Sequence, residues 1–181
     1  AMDFRLVELE RWLGAEFPAV TYTLAPASED ASFRRYFRVR LADGRSFIAM
    51  DAPPEREDCR PFLHVASLFA AAGAHVPAIH AQDLKAGFLL LEDLGHATFL
   101  DEFSRQANPD PLYAAATETL LCIQLASREA VLPEYDRALL GRELRLFPDW
   151  YIARQLRREL TPAEQRVLDK AFELLLANNL S

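Results

Sequence analysis

The chain has 181 residues, and its 20 Lys and Arg against 27 Asp and Glu leave a formal net charge of −7. A composition that is 51% hydrophobic and 26% charged excludes intrinsic disorder, and the acidic balance argues against a general nucleic-acid binder, because a phosphate backbone calls for a basic face. Two cysteines, Cys59 and Cys122, are too few for a disulfide scaffold and lack metal-ligand spacing, and no apolar run reaches the roughly 20 residues of a membrane helix, so a cytoplasmic protein without a membrane partner is expected.

In chain order, residues 4–13 carry Phe4, Val7 and Leu13 at helical spacing, with Leu6, Leu9 and Trp12 beside them and Gly14 as the stop. Three strand-like runs follow. The first is short, at 22–24. The second alternates over 33–41, with Phe37, Val39 and Leu41 on one face and Arg34, Tyr36, Arg38 and Arg40 on the other. Asp43-Gly44 is a hairpin turn, and 46–50 runs back as its partner. Pro53-Pro54 ends that strand, Asp58 caps a helix striped with Phe62, Val65, Ala66 and Phe69, and Gly73 ends it. Residues 76–82 and 88–91 form a further strand pair.

Beyond Gly95 the pattern is helical. Asp110-Pro111 places an N-cap before a first-turn Pro, for a helix to about Ser127. Pro148 opens another helix to about Leu160, and Thr161-Pro162-Ala163-Glu164 is a capping box before a last helix ending near Ala177. The expected fold class is α+β: an antiparallel five-stranded sheet with one inserted helix over residues 1–94, then a helical region over 95–181. Phe62, Val65, Phe69, Leu120, Ile123, Leu168 and Phe172 are the expected core residues.

Two segments can carry chemistry. The loop Ser28-Glu29-Asp30-Ala31-Ser32-Phe33-Arg34-Arg35 joins two strands and is rich in small polar residues. Its backbone N–H groups and hydroxyls can lie over phosphate oxygens while Arg34 or Arg35 neutralises charge, although it has no glycine and taken alone reads more readily as an ordinary polar hairpin. In Phe88-Leu89-Leu90-Leu91-Glu92-Asp93-Leu94-Gly95 an apolar strand runs into an acidic pair and a glycine; exposed backbone there can hydrogen-bond an adenine edge, or simply form a polar turn.

Together with Ile48-Ala49-Met50-Asp51 on the third strand, these pieces resemble the amino-terminal lobe of the aminoglycoside phosphotransferase family, which has a protein-kinase-like fold. The stretches at 30–38, 50–55, 57–62 and 146–151 resemble, within it, the bacterial anomeric kinases of N-acetylmuramate and N-acetylglucosamine that serve cell-wall recycling. The resemblance implies an ATP-dependent small-molecule kinase using Mg2+, with a sugar substrate. It implies nucleotide contacts at Ser28, Asp30, Ala31, Ser32, Phe33, Arg34, Arg35, Ala49, Asp51, Glu92, Asp93 and Leu94. Glu143, Asp149 and Trp150 are candidate sugar contacts, since a Trp face suits a pyranose; the competing reading makes Trp150 and Tyr151 core aromatics. Arg154, Arg157 and Arg158 read as a solvated face.

The sequence also departs from that pattern. A kinase carries Lys at the end of the third strand, paired to a helix Glu; here Asp51 or Met50 stands there, and the following helix has no acidic residue inside it. An ion pair between Asp51 and Arg60 is one, charge-swapped, reading; the other has Asp51 simply capping the strand and Arg60 solvated. None of the four histidines is followed two positions later by Asp, so the His-x-Asp-x-x-x-x-Asn loop that supplies the base and metal ligands is not in this sequence. The expectation is a truncated kinase, inactive by itself, with its magnesium ligands beyond Ser181 and exposed helices that drive self-association. Kinases of the same family for aminoglycoside, choline, homoserine or fructosamine, and a noncatalytic binding module, are the alternatives.

Overall fold

The computed structural model describes residues 3–28, 32–105 and 108–180. It divides into two compact units, 1–127 and 128–181, and the first holds the sheet. Helix α1, Phe4–Glu16, is capped by the Asp3 carboxylate, which accepts from Leu6 N–H. It runs past Gly14, correcting the expected stop. Gly14 has no left-handed φ, and the buried Leu9 and Leu13 hold the helix against the roughly 1 kcal/mol that an internal glycine costs.

The strands are β1 (Tyr22–Ser28), β2 (Arg35–Leu41), β3 (Ser46–Asp51), β4 (Ile79–Asp83) and β5 (Phe88–Glu92), with helix α2 (Cys59–Ala71) between β3 and β4. They form one antiparallel sheet in the order β1-β2-β3-β5-β4. β1 is longer than its β-rich core because, as an edge strand, it tolerates Pro26 next to a bulge. The turn between β4 and β5 is tight at Gly87: its φ is +77°, and a Cβ there would come within 1.9 Å of the Ala52 carbonyl oxygen.

The two faces of the sheet carry separate cores. On one, Leu9 and Leu13 of α1 pack with Val39, Leu41, Ala49, Phe88 and Leu90. On the other, Met50, Ala52, Cys59, Leu89 and Leu91 pack with the half-buried Tyr36, Ile48, Phe62 and Leu63, bringing in α2. Asp58 caps α2 by accepting from Arg60 N–H, and Gly73 follows its end with φ +89°. The fold class is the expected α+β, but the centre of the core is displaced from the expected residues. Phe62, Val65, Phe69, Ile123, Leu168 and Phe172 are only half-buried and Leu120 is exposed, because the strands and α1 supply the fully covered side chains.

Four helices follow: α3 (Phe99–Arg105), α4 (Asp110–Leu125), α5 (Arg137–Leu146) and α6 (Pro162–Asn179). α4 starts one residue earlier than expected: Asp110 lies in its first turn and Asn108 accepts the Asp110 N–H at 3.0 Å. Where one helix was expected from Pro148 to Leu160, residues Phe147–Gln155 form a π-helical segment continuing α5. It stops before Arg157, whose φ is +51°. The Thr161–Glu164 capping box opens α6 as expected. No helix among the described residues is long and apolar enough to cross a membrane.

Candidate functional site

The β1–β2 connection is the first candidate. Asp30 and Ala31 lie outside the described residues. Ser28 closes β1 opposite Tyr36. Ser32 Oγ accepts from Arg34 N–H at 3.1 Å, and the Glu57 carboxylate binds Phe33 N–H and Arg34 Nε, each at 3.2 Å. The Arg56 guanidinium lies 4.5 Å from the centre of the half-exposed Phe33 ring. The loop root is thus tied to the segment just ahead of α2.

Strand β3 separates two chemistries by its alternation. Met50 and Ile48 face α2. Ala49 and Asp51 face α1 and are fully buried. One Asp51 oxygen accepts from Arg5 Nε at 3.1 Å and from Arg5 Nη2; the other accepts from Arg35 Nε at 3.0 Å and Nη2 at 2.6 Å. Arg5 also donates to the Ala86 carbonyl at 2.8 Å, and Arg35 pairs with Asp3. The expected Asp51–Arg60 strut is therefore corrected. Arg60 is largely exposed and pairs with the helix cap Asp58 at 2.8 Å, because Asp51 faces away from α2.

The end of β5 is the second candidate. Glu92 is built into the sheet: its N–H donates to the Ala78 carbonyl at 2.8 Å and its carboxylate accepts Ala78 N–H at 3.1 Å. That N–H and His75 hold the Glu92 carboxyl below its usual range. Asp93 lies on the α2 side of the sheet. Arg38 grips it in a fork, Nε to Oδ2 at 2.7 Å and Nη2 to Oδ1 at 3.0 Å, and Ser46 Oγ donates to it as well. The Arg38 guanidinium, with Ser46 and the Gly95 N–H, holds the Asp93 carboxyl far below the carboxylate range. Leu94 is half-exposed, and its N–H and C=O take part in none of the hydrogen bonds among the described residues.

Arg38 is the residue that sequence reading missed. Alternation places it on the face opposite Phe37, Val39 and Leu41 but assigns it no partner. The available signal was that β2 is an interior strand, where an arginine stays only if paired.

In the second unit, Glu143 is exposed on α5, and Asp149 and Trp150 are exposed in the π-helical segment. Trp150 and Tyr151 are 55% and 52% exposed, so they are not core aromatics. Arg154, Arg157 and Arg158 are exposed, as expected of a solvated face; the Arg154 guanidinium also covers one Trp150 face at 3.9 Å, and Arg158 pairs with Glu164. A groove of about 440 Å³ between α5 and α6 is floored by Phe172 and Leu176. Among the described residues no group of three His, Cys, Asp or Glu side chains is placed to hold a metal ion.

Comparison with known proteins fixes the family. The chain is 51% identical over 168 residues to the N-acetylmuramate/N-acetylglucosamine kinase of Pseudomonas aeruginosa, covering 87% of this chain and 49% of that protein. The kinase of the same name from Pseudomonas putida is 46% identical over 191 residues, covering 99% of this chain and 55% of that protein. That of Neisseria meningitidis is 39% identical over 175 residues, covering 95% and 52%. The chain therefore spans about half the length of the curated relatives it matches. Residues 23–181 match the model of the phosphotransferase enzyme family, and with the five-stranded antiparallel sheet and helices of its kinase-like lobe the chain belongs to that family.

Proposed function

We propose that this chain is the nucleotide-binding part of an ATP-dependent kinase that transfers phosphate to a hydroxyl of an amino sugar in the cytoplasm. The name shared by the relatives, N-acetylmuramate/N-acetylglucosamine kinase, supports the acceptor class. The observation that carries the nucleotide reading is the Leu94 peptide, which offers one donor and one acceptor at the end of a rigid strand, the pair that a purine edge requires. The base lies on the α2 side of the sheet, beside Tyr36, Ile48 and Leu91. The phosphates run toward the connection between β1 and β2, with Ser28, Ser32 and Phe33 beside them and Arg34 nearest; the family resemblance adds Asp30 and Ala31 to these contacts. Ala49 and Asp51 serve from behind the sheet by fixing β3 and Arg35. Residues 1–94 form the nucleotide lobe and 95–181 the first part of the substrate lobe, where Glu143, Asp149 and Trp150 contribute to the sugar side.

Phosphoryl transfer needs a base and Mg2+ ligands in addition to these groups. We assign those to the part of a longer protein matching the half of the relatives that this chain does not span. The chain alone then binds nucleotide without turning it over. Titration with a non-hydrolysable ATP analogue and Mg2+ by calorimetry should give saturable binding tighter than about 1 mM, the upper end of ordinary KM values, with ADP competing. Absence of saturable binding by the folded chain would overturn this reading and favour a noncatalytic module on the same scaffold.

A further inference from the structure

We propose that Arg38 and Asp93, seconded by Ser46, are positioning residues for purine recognition: they fix the backbone on both sides of Leu94 so that its N–H and C=O stay available to a base. The inference rests on the purine site proposed above and names the device that shapes it.

The clamp works from both directions. Ahead of Leu94, Glu92 is tied to Ala78 through its backbone and its carboxylate. The Asp93 carboxylate is gripped by Ser46 from the neighbouring strand β3 and by the Arg38 fork from β2, one strand further on. After Leu94, the Gly95 N–H donates to Asp93 Oδ1 at 3.0 Å and the Gly95 carbonyl accepts from Arg38 Nη2 at 2.8 Å. The chain can close this way because Gly95 takes φ +94°, a conformation that a side chain disfavours. Residues 92, 93 and 95 are thus bound, and Leu94 between them presents both peptide groups.

The chemistry of the clamp suits positioning better than stability. The Arg38 and Asp93 side chains are 10% and 9% exposed. A buried ion pair gains little net stability after desolvation, and its best-attested use is to fix one geometry. The guanidinium fork is needed for it: Arg38 donates to both Asp93 oxygens and to Gly95 O, while a lysine has one nitrogen and no plane to spread over three acceptors. His96 closes the remaining edge of Arg38, with Nδ1 at 2.8 Å from Nη1. All three nitrogens of this guanidinium are therefore engaged at the backbone turn or its supports.

The test compares the chain with its Arg38→Lys and Ser46→Ala variants, titrated with ADP, GDP and inorganic tripolyphosphate, with circular dichroism as the check on folding. Arg38→Lys should weaken ADP about tenfold, the scale of one well-aligned hydrogen bond. It should also narrow the difference between ADP and GDP and leave tripolyphosphate within about twofold. Ser46→Ala should shift ADP the same way by a smaller factor, and it decides the matter if Arg38→Lys does not fold. Folded variants that bind ADP as the parent does, or that lose ADP and tripolyphosphate equally, overturn the inference and leave the purine site standing. A parent chain that binds tripolyphosphate but shows no gain from adenosine removes the purine site, and the clamp with it.

Discussion

At the scale of single residues, the carboxylate of Asp51 shows how the family frame has been rebuilt. It stands where the resemblance led one to look for a phosphate-holding lysine, yet it is fully buried on the α1 face between two guanidiniums. Removing it leaves Arg5 and Arg35 converging on an empty, partly buried space, with the more exposed Glu8 beside Arg5 and Asp3 beside Arg35 to offset them. Breaking a buried pair in this way costs about 3–5 kcal/mol, because the stranded charges keep their desolvation penalty. Asp51→Ala should therefore lower the urea midpoint sharply. Arg60→Ala, which cuts an exposed pair with Asp58, should leave the midpoint where it was. Equal midpoints for the two variants would show that the Asp51 network carries no stability. None of this geometry could be read from spacing alone: Asp51 and Arg5 are 46 positions apart, and Arg38 and Asp93 are 55 apart. The sequence identifies which side chains alternate, but which face acquires a cover is decided only when α1 and α2 pack.

At the scale of elements, α1 is a structural wall of the sheet. Leu9 and Leu13 are fully buried in the core it shares with β2, β3 and β5, and the Trp12 ring lies 5.7 Å from that of Phe88. Leu13→Ala should cost about 2–5 kcal/mol by lost transfer energy and a residual cavity, read as a drop in thermal midpoint. A change no larger than for exposed Val7→Ala would mean that α1 is only loosely laid on the sheet. The strands were legible because alternation and the Asp43-Gly44 turn are local signals, and α2 and α6 because their caps precede apolar stripes. Helices α3 and α5 carried signals just as local. Thr98 and Asp101 exchange hydrogen bonds across the start of α3, and Asp136 accepts Leu139 N–H at 2.8 Å. The sequence reading leaves them out because they are short, seven and ten residues, and give an apolar stripe little length over which to repeat. The π-helical turns after Phe147 break the 3.6-residue period altogether.

At the scale of the whole molecule, the apolar residues are unevenly covered. The sheet is covered on both faces, whereas among α3, α4, α5 and α6 only Leu176 is fully buried. Leu120, Leu121 and Leu125 on α4 are 52%, 51% and 87% exposed, and Val167 and Leu174 on α6 are 69% and 72% exposed. Apolar surface left in water costs roughly 25 cal/mol per Å², so a second copy that covers part of it lowers the free energy. The net charge of −7 opposes that contact, and salt screens the opposition within about a Debye length. Sedimentation should therefore show the weight-average mass rising above the 20.5 kDa monomer as concentration increases, more steeply at higher salt, and Leu125→Glu with Leu174→Glu should suppress the rise. A monomer at every concentration would overturn self-association. Association that weakens with salt would instead place ion pairs, rather than these leucines, at the contact.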